Sequence, residues 1–352
     1  MSLSCEIESL ARETMEKFHV PGMAILAARA NAEPNALLLG VDAAGVAVSE
    51  TSFFNIASIT KLATALCVLR LVESGQLELD HSLATYVPDA QAAQDGVTLR
   101  TLLCHISGLP LDLAHGAELY GKPMTTSDML RECLGVPLKI PPRTRVVYSN
   151  VGYGLLAVVV ERVTRRKFSD VLREQVLDPL RVEGYLGKEP PRLPMKLADI
   201  RSRHAGTDIE PFNSRYFRSL GLPWAGLVTT AEGALNLVRA YAGYPGGFLS
   251  EALRVDAISN QTDDLPGGYG GQFDYPRAAW GLGVDLRGEK KTHWTPPNAS
   301  PRTFGHAGSC GCVVWHDPDV NFSWAILGTR TADNGWLVRG ATKIAEVLLD
   351  DR

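Results

Sequence analysis

The chain has 352 residues, more than one hydrophobic core ordinarily serves, so two domains are expected. Hydrophobic residues make up 45% and charged residues 21%, the balance of a soluble globular protein, and a net charge of −4 with no basic run excludes an electrostatic footprint for nucleic acid. No stretch is apolar for long enough to span a bilayer, and an acidic start without a basic segment and apolar core predicts no signal peptide, hence a cytoplasmic protein with no membrane partner.

In chain order, Ile7, Leu10, Ala11, Met15 and Phe18 recur with helical period and predict a helix over 4–18, ending before Pro21-Gly22. "MAILAARA" and "ALLLGVD" then read as two strands around the turn-prone "NAEPN". Within "FNIASITKLATALCVLRLVESG" a strand-like run turns into a helix. Leu62, Ala65, Leu66, Leu69 and Val72 mark its buried face and Gly75 its end. From about residue 80 to 224 helices alternate with loops rich in Pro and Gly, with "GYGLLAVVVERVT" and "FSDVLREQVLDPL" the clearest helices. "TFGHAGSCGCVVWHDPDVNFSWAILGTR" reads as a hairpin of two apolar runs around Asp317-Pro318-Asp319, and a last helix follows. Strands at both ends predict a discontinuous α/β domain, 1–78 and 225–352, around a mainly helical domain, 79–224.

Three short motifs carry residues able to do chemistry. Ser58 and Lys61 sit three apart at a helix start, where free N–H groups and the helix dipole lie. Residues at that spacing share a face, so a lysine kept neutral by burial can take the serine's proton. Ser-x-x-Lys alone arises by chance roughly once in a chain of this size, and a capping serine with a snorkelling lysine explains it equally well. In Tyr148-Ser149-Asn150, a phenol whose pKa is lowered by nearby cations can relay a proton, and the asparagine can orient a lysine and a substrate amide. The competing reading is an Asn150 cap with a part-buried tyrosine. In His306-Ala307-Gly308-Ser309, Gly308 would let a substrate backbone approach the strand, and the Ser309 and Ser58 N–H groups would hold an oxyanion.

Other residues invite weaker readings. The six cysteines lack Cys-x-x-Cys or Cys/His ligand spacing, and Cys310 and Cys312 share a strand face, so no metal and no cofactor is expected. His204-Ala205-Gly206 repeats the "HAG" motif in a polar loop and is discounted. A Ser58–His105–Asp triad lacks the Gly-x-Ser-x-Gly elbow, so His105 reads as structural, hydrogen-bonded to a neighbouring loop. His81 and His293 carry no interpretable signal. Glu232 with Asn236 looks like a deacylating pair, but Thr229-Thr230-Ala231-Glu232 is also a capping box, the preferred reading.

With "SITK", "YSN" and "HAG" in that order, and with "LLCHISGLP", "GQLELDHSLATYVPD" and "WAGLVTTAEGALNL", nearly the whole chain resembles the serine beta-lactamase and penicillin-binding-protein superfamily. The resemblance is to its class C-like branch of family VIII carboxylesterases, D-peptidases and beta-lactamases. It implies an antiparallel sheet flanked by helices beside a mainly helical domain, with the site in the cleft. It also implies that Ser58 is acylated, that Lys61 and Tyr148 move protons, that Asn150, His306 and Gly308 orient substrate, and that the Ser58 and Ser309 N–H groups form the oxyanion hole. His306 stands where many relatives have lysine, which favours a small ester or amide substrate over a beta-lactam or D-peptide. Anionic substrates would then be turned over better below neutral pH. A non-catalytic binding protein on the same scaffold is the reading from another class. Tyr120, Tyr216, Trp224, Tyr269 and Trp294 are candidate cleft walls.

Overall fold

In the computed structural model, residues 3–113, 124–269 and 273–351 are described, and the two ends of the chain build one sheet. The strands are β1 (Gly22–Arg29), β2 (Asn35–Gly40), β3 (Phe53–Asn55), β4 (Val146–Val147), β5 (Gly184–Leu186), β6 (Leu227–Thr230), β7 (Gly267–Gly268), β8 (Asp274–Tyr275), β9 (Asp285–Leu286), β10 (Phe304–Gly308), β11 (Cys312–Asp317) and β12 (Phe322–Gly328). The large sheet runs β2-β1-β12-β11-β10-β9, antiparallel throughout.

Alternation decides which face each residue covers. Met23, Ile25, Trp315, Trp324 and Ile326 pack against α1 (Cys5–Phe18) and the last helix, Thr342–Asp350. Leu26, Val314, Ala325 and Leu327 face the other way, into one apolar core shared with α2 (Thr60–Glu73) and the helix Ala231–Ala242. Helices on both sides leave the middle strands without a wet face, so β11 and β12 are buried throughout. Two small sheets complete the description, β3-β6-β5 and β4-β7-β8, the first delivering the chain to the start of α2.

Most of the elements read from periodicity appear where expected, with α1 opened by Ser4 and α2 followed by Gly75 at φ 70°. The C-terminal hairpin is a correction, because its first apolar run is two strands. β10 and β11 are separated by the turn Ser309–Gly311, where Gly311 adopts φ 90° and a Cβ would stand 1.9 Å from the Arg330 carbonyl. Cys310 therefore lies in a turn and not on a strand, although its sulfur still meets that of Cys312 at 3.4 Å. The capping box expected at Thr229–Glu232 is also replaced: Thr230 alone caps, accepting from Gly233, and Glu232 is exposed.

Candidate active site

Ser58 sits in a single 3₁₀ turn, Ala57–Ile59, between β3 and α2. Ala57 is held at φ 43°, a left-handed conformation costing an L-residue about 1 kcal/mol, and this turns the chain sharply out of the strand. Across residues 52–69 every side chain is buried except Ser58, which is part-exposed. Its hydroxyl caps neither the turn nor α2, so the capping reading fails.

Lys61, one turn into α2, is completely buried and does not snorkel. Its Nζ lies 2.8 Å from Asn150 Oδ1, 2.9 Å from the Trp224 carbonyl and 3.4 Å from Ser58 Oγ. Burial drives its pKa well below the ordinary lysine value, with Asp112 pulling weakly the other way. A neutral amine has two N–H bonds and one lone pair. Asn150 and Trp224 both present acceptors and take the N–H bonds, which leaves the lone pair for the Ser58 hydroxyl.

Tyr148 stands beside this pair, with Lys61 Nζ 4.7 Å from its ring centroid. Its phenol is not lowered as the sequence suggested. Burial pushes it up, with the Ser58 hydroxyl opposing. Its hydroxyl makes no hydrogen bond of good geometry among the described residues, leaving its proton uncommitted. Ser149, rather than Asn150, caps the helix Asn150–Thr164, accepting from Gly152 at 3.1 Å. Asn150 is thereby released to face Lys61. His105 is structural as expected: its Nδ1 accepts from the Ser149 N–H at 3.1 Å, and its ring lies 4.6 Å from that of Tyr148.

On the far side, Gly308 lets β10 approach the serine turn, since a Cβ there would fall 2.5 Å from the Ile56 carbonyl. The glycine thus admits the protein's own chain, and it also lines the cleft beside Ser58. Ser309 follows in the exposed turn, and neither its N–H nor that of Ser58 has a backbone acceptor among the described residues. His306 departs from expectation. It is buried, lies behind Tyr148 with ring centroids 5.9 Å apart, and is absent from the cleft lining. Burial pushes its pKa down to about 4.

The cleft of about 590 Å³ is lined by Ser58, Tyr148, Ala307, Gly308 and Ser309 at its chemical end. Leu111, Tyr269, Phe273, Trp294, Leu337 and Val338 form apolar walls, and Asp333 supplies the charged side chain among the described lining residues. Of the expected walls, Tyr269 and Trp294 are there. Trp224 is buried and contributes only its carbonyl, Tyr216 accepts from the Met124 N–H elsewhere, and Tyr120 lies outside the described residues. Phe273 lies in the Gly-rich stretch "DDLPGGYGGQFDYP", a candidate cleft loop from sequence, whereas nothing in the sequence around Leu337 and Val338 marks a cleft. A larger cavity, about 710 Å³, lies around Arg254, Arg277 and His316 and includes none of the Ser58 groups. Among the described residues no cluster of His, Cys, Asp or Glu is arranged to hold a metal, and no helix is long and apolar enough to cross a membrane.

The sequence model of the Beta-lactamase family matches residues 7–349, and the chain belongs to that family, within the serine beta-lactamase and penicillin-binding-protein superfamily. It is 31% identical over 236 residues to penicillin-binding protein 4 of Amycolatopsis lactamdurans, covering 63% of this chain and 60% of that protein. In fold it is similar to the D-amino acid amidase of Ochrobactrum anthropi SV3, at TM-score 0.78 and 19% identity over 99% of this chain and 100% of the other. EstCE1, a hydrolase with promiscuous acyltransferase activity, aligns at TM-score 0.73 and 19% identity over 96% and 97% of the two chains.

Proposed function

We propose that the protein is a serine hydrolase acting through an acyl-enzyme on Ser58, with small uncharged esters or amides as substrates. The observation that carries this is the buried Lys61 amine, held by Asn150 Oδ1 and the Trp224 carbonyl with its Nζ 3.4 Å from Ser58 Oγ. Ser58 Oγ attacks the substrate carbonyl and its proton passes to Lys61 Nζ. The Ser58 and Ser309 N–H groups receive the oxyanion. Tyr148, kept as a phenol, protonates the leaving group and recovers a proton from the Lys61 ammonium. Water then attacks the acyl-enzyme by the same route in reverse, giving up its proton to this pair, and Ser58 leaves with a proton restored. Asn150 holds Lys61, and His306 supports Tyr148 from behind and does not bind a carboxylate.

The substrate preference rests on the walls. They are apolar and aromatic, and no cationic side chain lines the cleft among the described residues, which supports an uncharged substrate. The test compares wild type with Ser58→Ala on p-nitrophenyl butyrate and a cephalosporin. Ester turnover that disappears with the serine, alongside slow cephalosporin turnover, is the expected result. Fast cephalosporin turnover would move the assignment to a beta-lactamase, and failure of both substrates, with no labelling by a phosphonate probe, to a binding protein.

A further inference from the structure

A buried charged cluster lies behind the cleft wall and takes no part in this chemistry. Asp285, on β9, is fully buried and pairs with Lys290, which also donates to the Ala279 carbonyl at 2.7 Å. Its other oxygen meets His293 Nε2 at 2.9 Å and accepts from the Tyr269 hydroxyl at 2.5 Å. His293 Nδ1 shares a hydrogen bond with Thr295 Oγ1 at 2.8 Å. Burial alone would raise the Asp285 carboxyl, but Lys290 and His293 hold it below the usual carboxylate range.

A buried ion pair is a costly way to hold a strand, since apolar residues of the same volume are often as stabilising or more so. What Asp285 touches supplies the reason. Tyr269 is the member of the cluster that lines the cleft, and it follows β7, its own N–H bonded to the Phe273 carbonyl at 2.9 Å, so the hydroxyl bond to Asp285 holds the far end of its ring. Its ring lies 4.9 Å from Tyr148 and 4.6 Å edge-on from Trp294, which in turn stands 4.9 Å from Phe273. Asp285 is itself registered opposite Gly305 of β10, the strand that leads to Gly308 and Ser309. The hydroxyl anchor thus fixes an aromatic wall at a set distance from the oxyanion donors.

We propose that Asp285 is a positioning residue that, by holding the Tyr269 hydroxyl, orients the wall of Tyr269, Trp294 and Phe273 and makes the cleft prefer substrates with an aromatic acyl group. Lys290 and His293 serve it by making a buried carboxylate tolerable. The inference rests on the cleft at Ser58 being the acyl-binding site, and its test needs no turnover.

Binding of phenylacetamide and of butyramide is measured by calorimetry on the Ser58→Ala protein. The parent prefers phenylacetamide. Tyr269→Phe, which keeps the ring and loses the anchor, and Asp285→Leu/Lys290→Met each cut that preference about two- to tenfold, the range of one aromatic pair. Asp285→Asn/Lys290→Met keeps an oxygen acceptor for Tyr269 and restores the preference, a recovery that a purely structural role would not produce. A parent without preference, or a Tyr269→Phe protein with the parent's preference, overturns the proposal. Failure of the serine mechanism reads out separately, as ester hydrolysis that survives Ser58→Ala.

Discussion

An amine in a protein interior loses the hydration its charge depends on, and Lys61 draws its chemistry from that loss. Lys61→Met is expected to lower turnover about 10²–10⁴-fold, the usual contribution of a positioned base. It also has a signature in stability. In the unfolded chain Lys61 keeps its proton until pH approaches 10.5, whereas the folded amine releases its proton at lower pH, so between the two the unfolded state binds more protons and folding gains as pH rises toward 10.5. Subtracting the urea-unfolding free energies of Lys61→Met from wild type at several pH values isolates this rise, and a flat difference would mean a charged lysine. His306 reverses an expectation from sequence. With a folded pKa of about 4 it stays neutral through the physiological range, so it has no charge to gain between about pH 5.5 and 8. His306→Gln and wild type are therefore expected to share one pH–rate profile over that interval, on neutral and anionic substrates alike.

Among the elements, β10 leaves little room at the serine turn. Its Gly308 faces the Ile56 carbonyl, and Gly308→Ala forces the strand away from the serine turn, separating the two N–H donors. Turnover is expected to fall at least tenfold, because misplacement by about 1 Å costs on the order of 10². Circular dichroism unchanged from wild type would show that the loss is one of position. At the helix Asn150–Thr164, Ser149→Ala removes the cap and is expected to cost about 1 kcal/mol of unfolding free energy in urea. The elements were legible wherever one periodicity ran uninterrupted, as in α1, α2, β1 and β2. They were misread where a turn hides in an apolar run, at Ser309–Gly311, and where neighbouring residues compete to cap, at Thr229/Thr230 and Ser149/Asn150. A cap is decided by which residue leaves helical geometry, and that depends on how the preceding strand is paired.

At the scale of the molecule, burial has silenced most of the imidazoles in the core. His105, His293, His306 and His316 are all buried with pKa values pushed down by desolvation. Each gains a proton on unfolding below its ordinary value of 6.5, so stability is complete above that pH and falls as pH drops from 6.5 toward 4. The slope is expected to reach up to about 5 kcal/mol per pH unit if all four sites respond together, at about 1.36 kcal/mol for each proton. Denaturant unfolding at pH 7, 6 and 5 checks this, and His105→Asn with His316→Asn would flatten the curve if the account is right.

The motifs and their order, through the family they resemble, pointed to the family, the sheet-and-helix class and a site of Ser58, Lys61, Tyr148, Asn150 and Ser309, while periodicity within the chain marked its longer helices and strands. Tertiary structure alone decided the burial that lowers the Lys61 pKa, the removal of His306 from the cleft and the Asp285 cluster behind its wall. Desolvation and partner geometry depend on what distant segments bring into contact, and no spacing within the sequence records them.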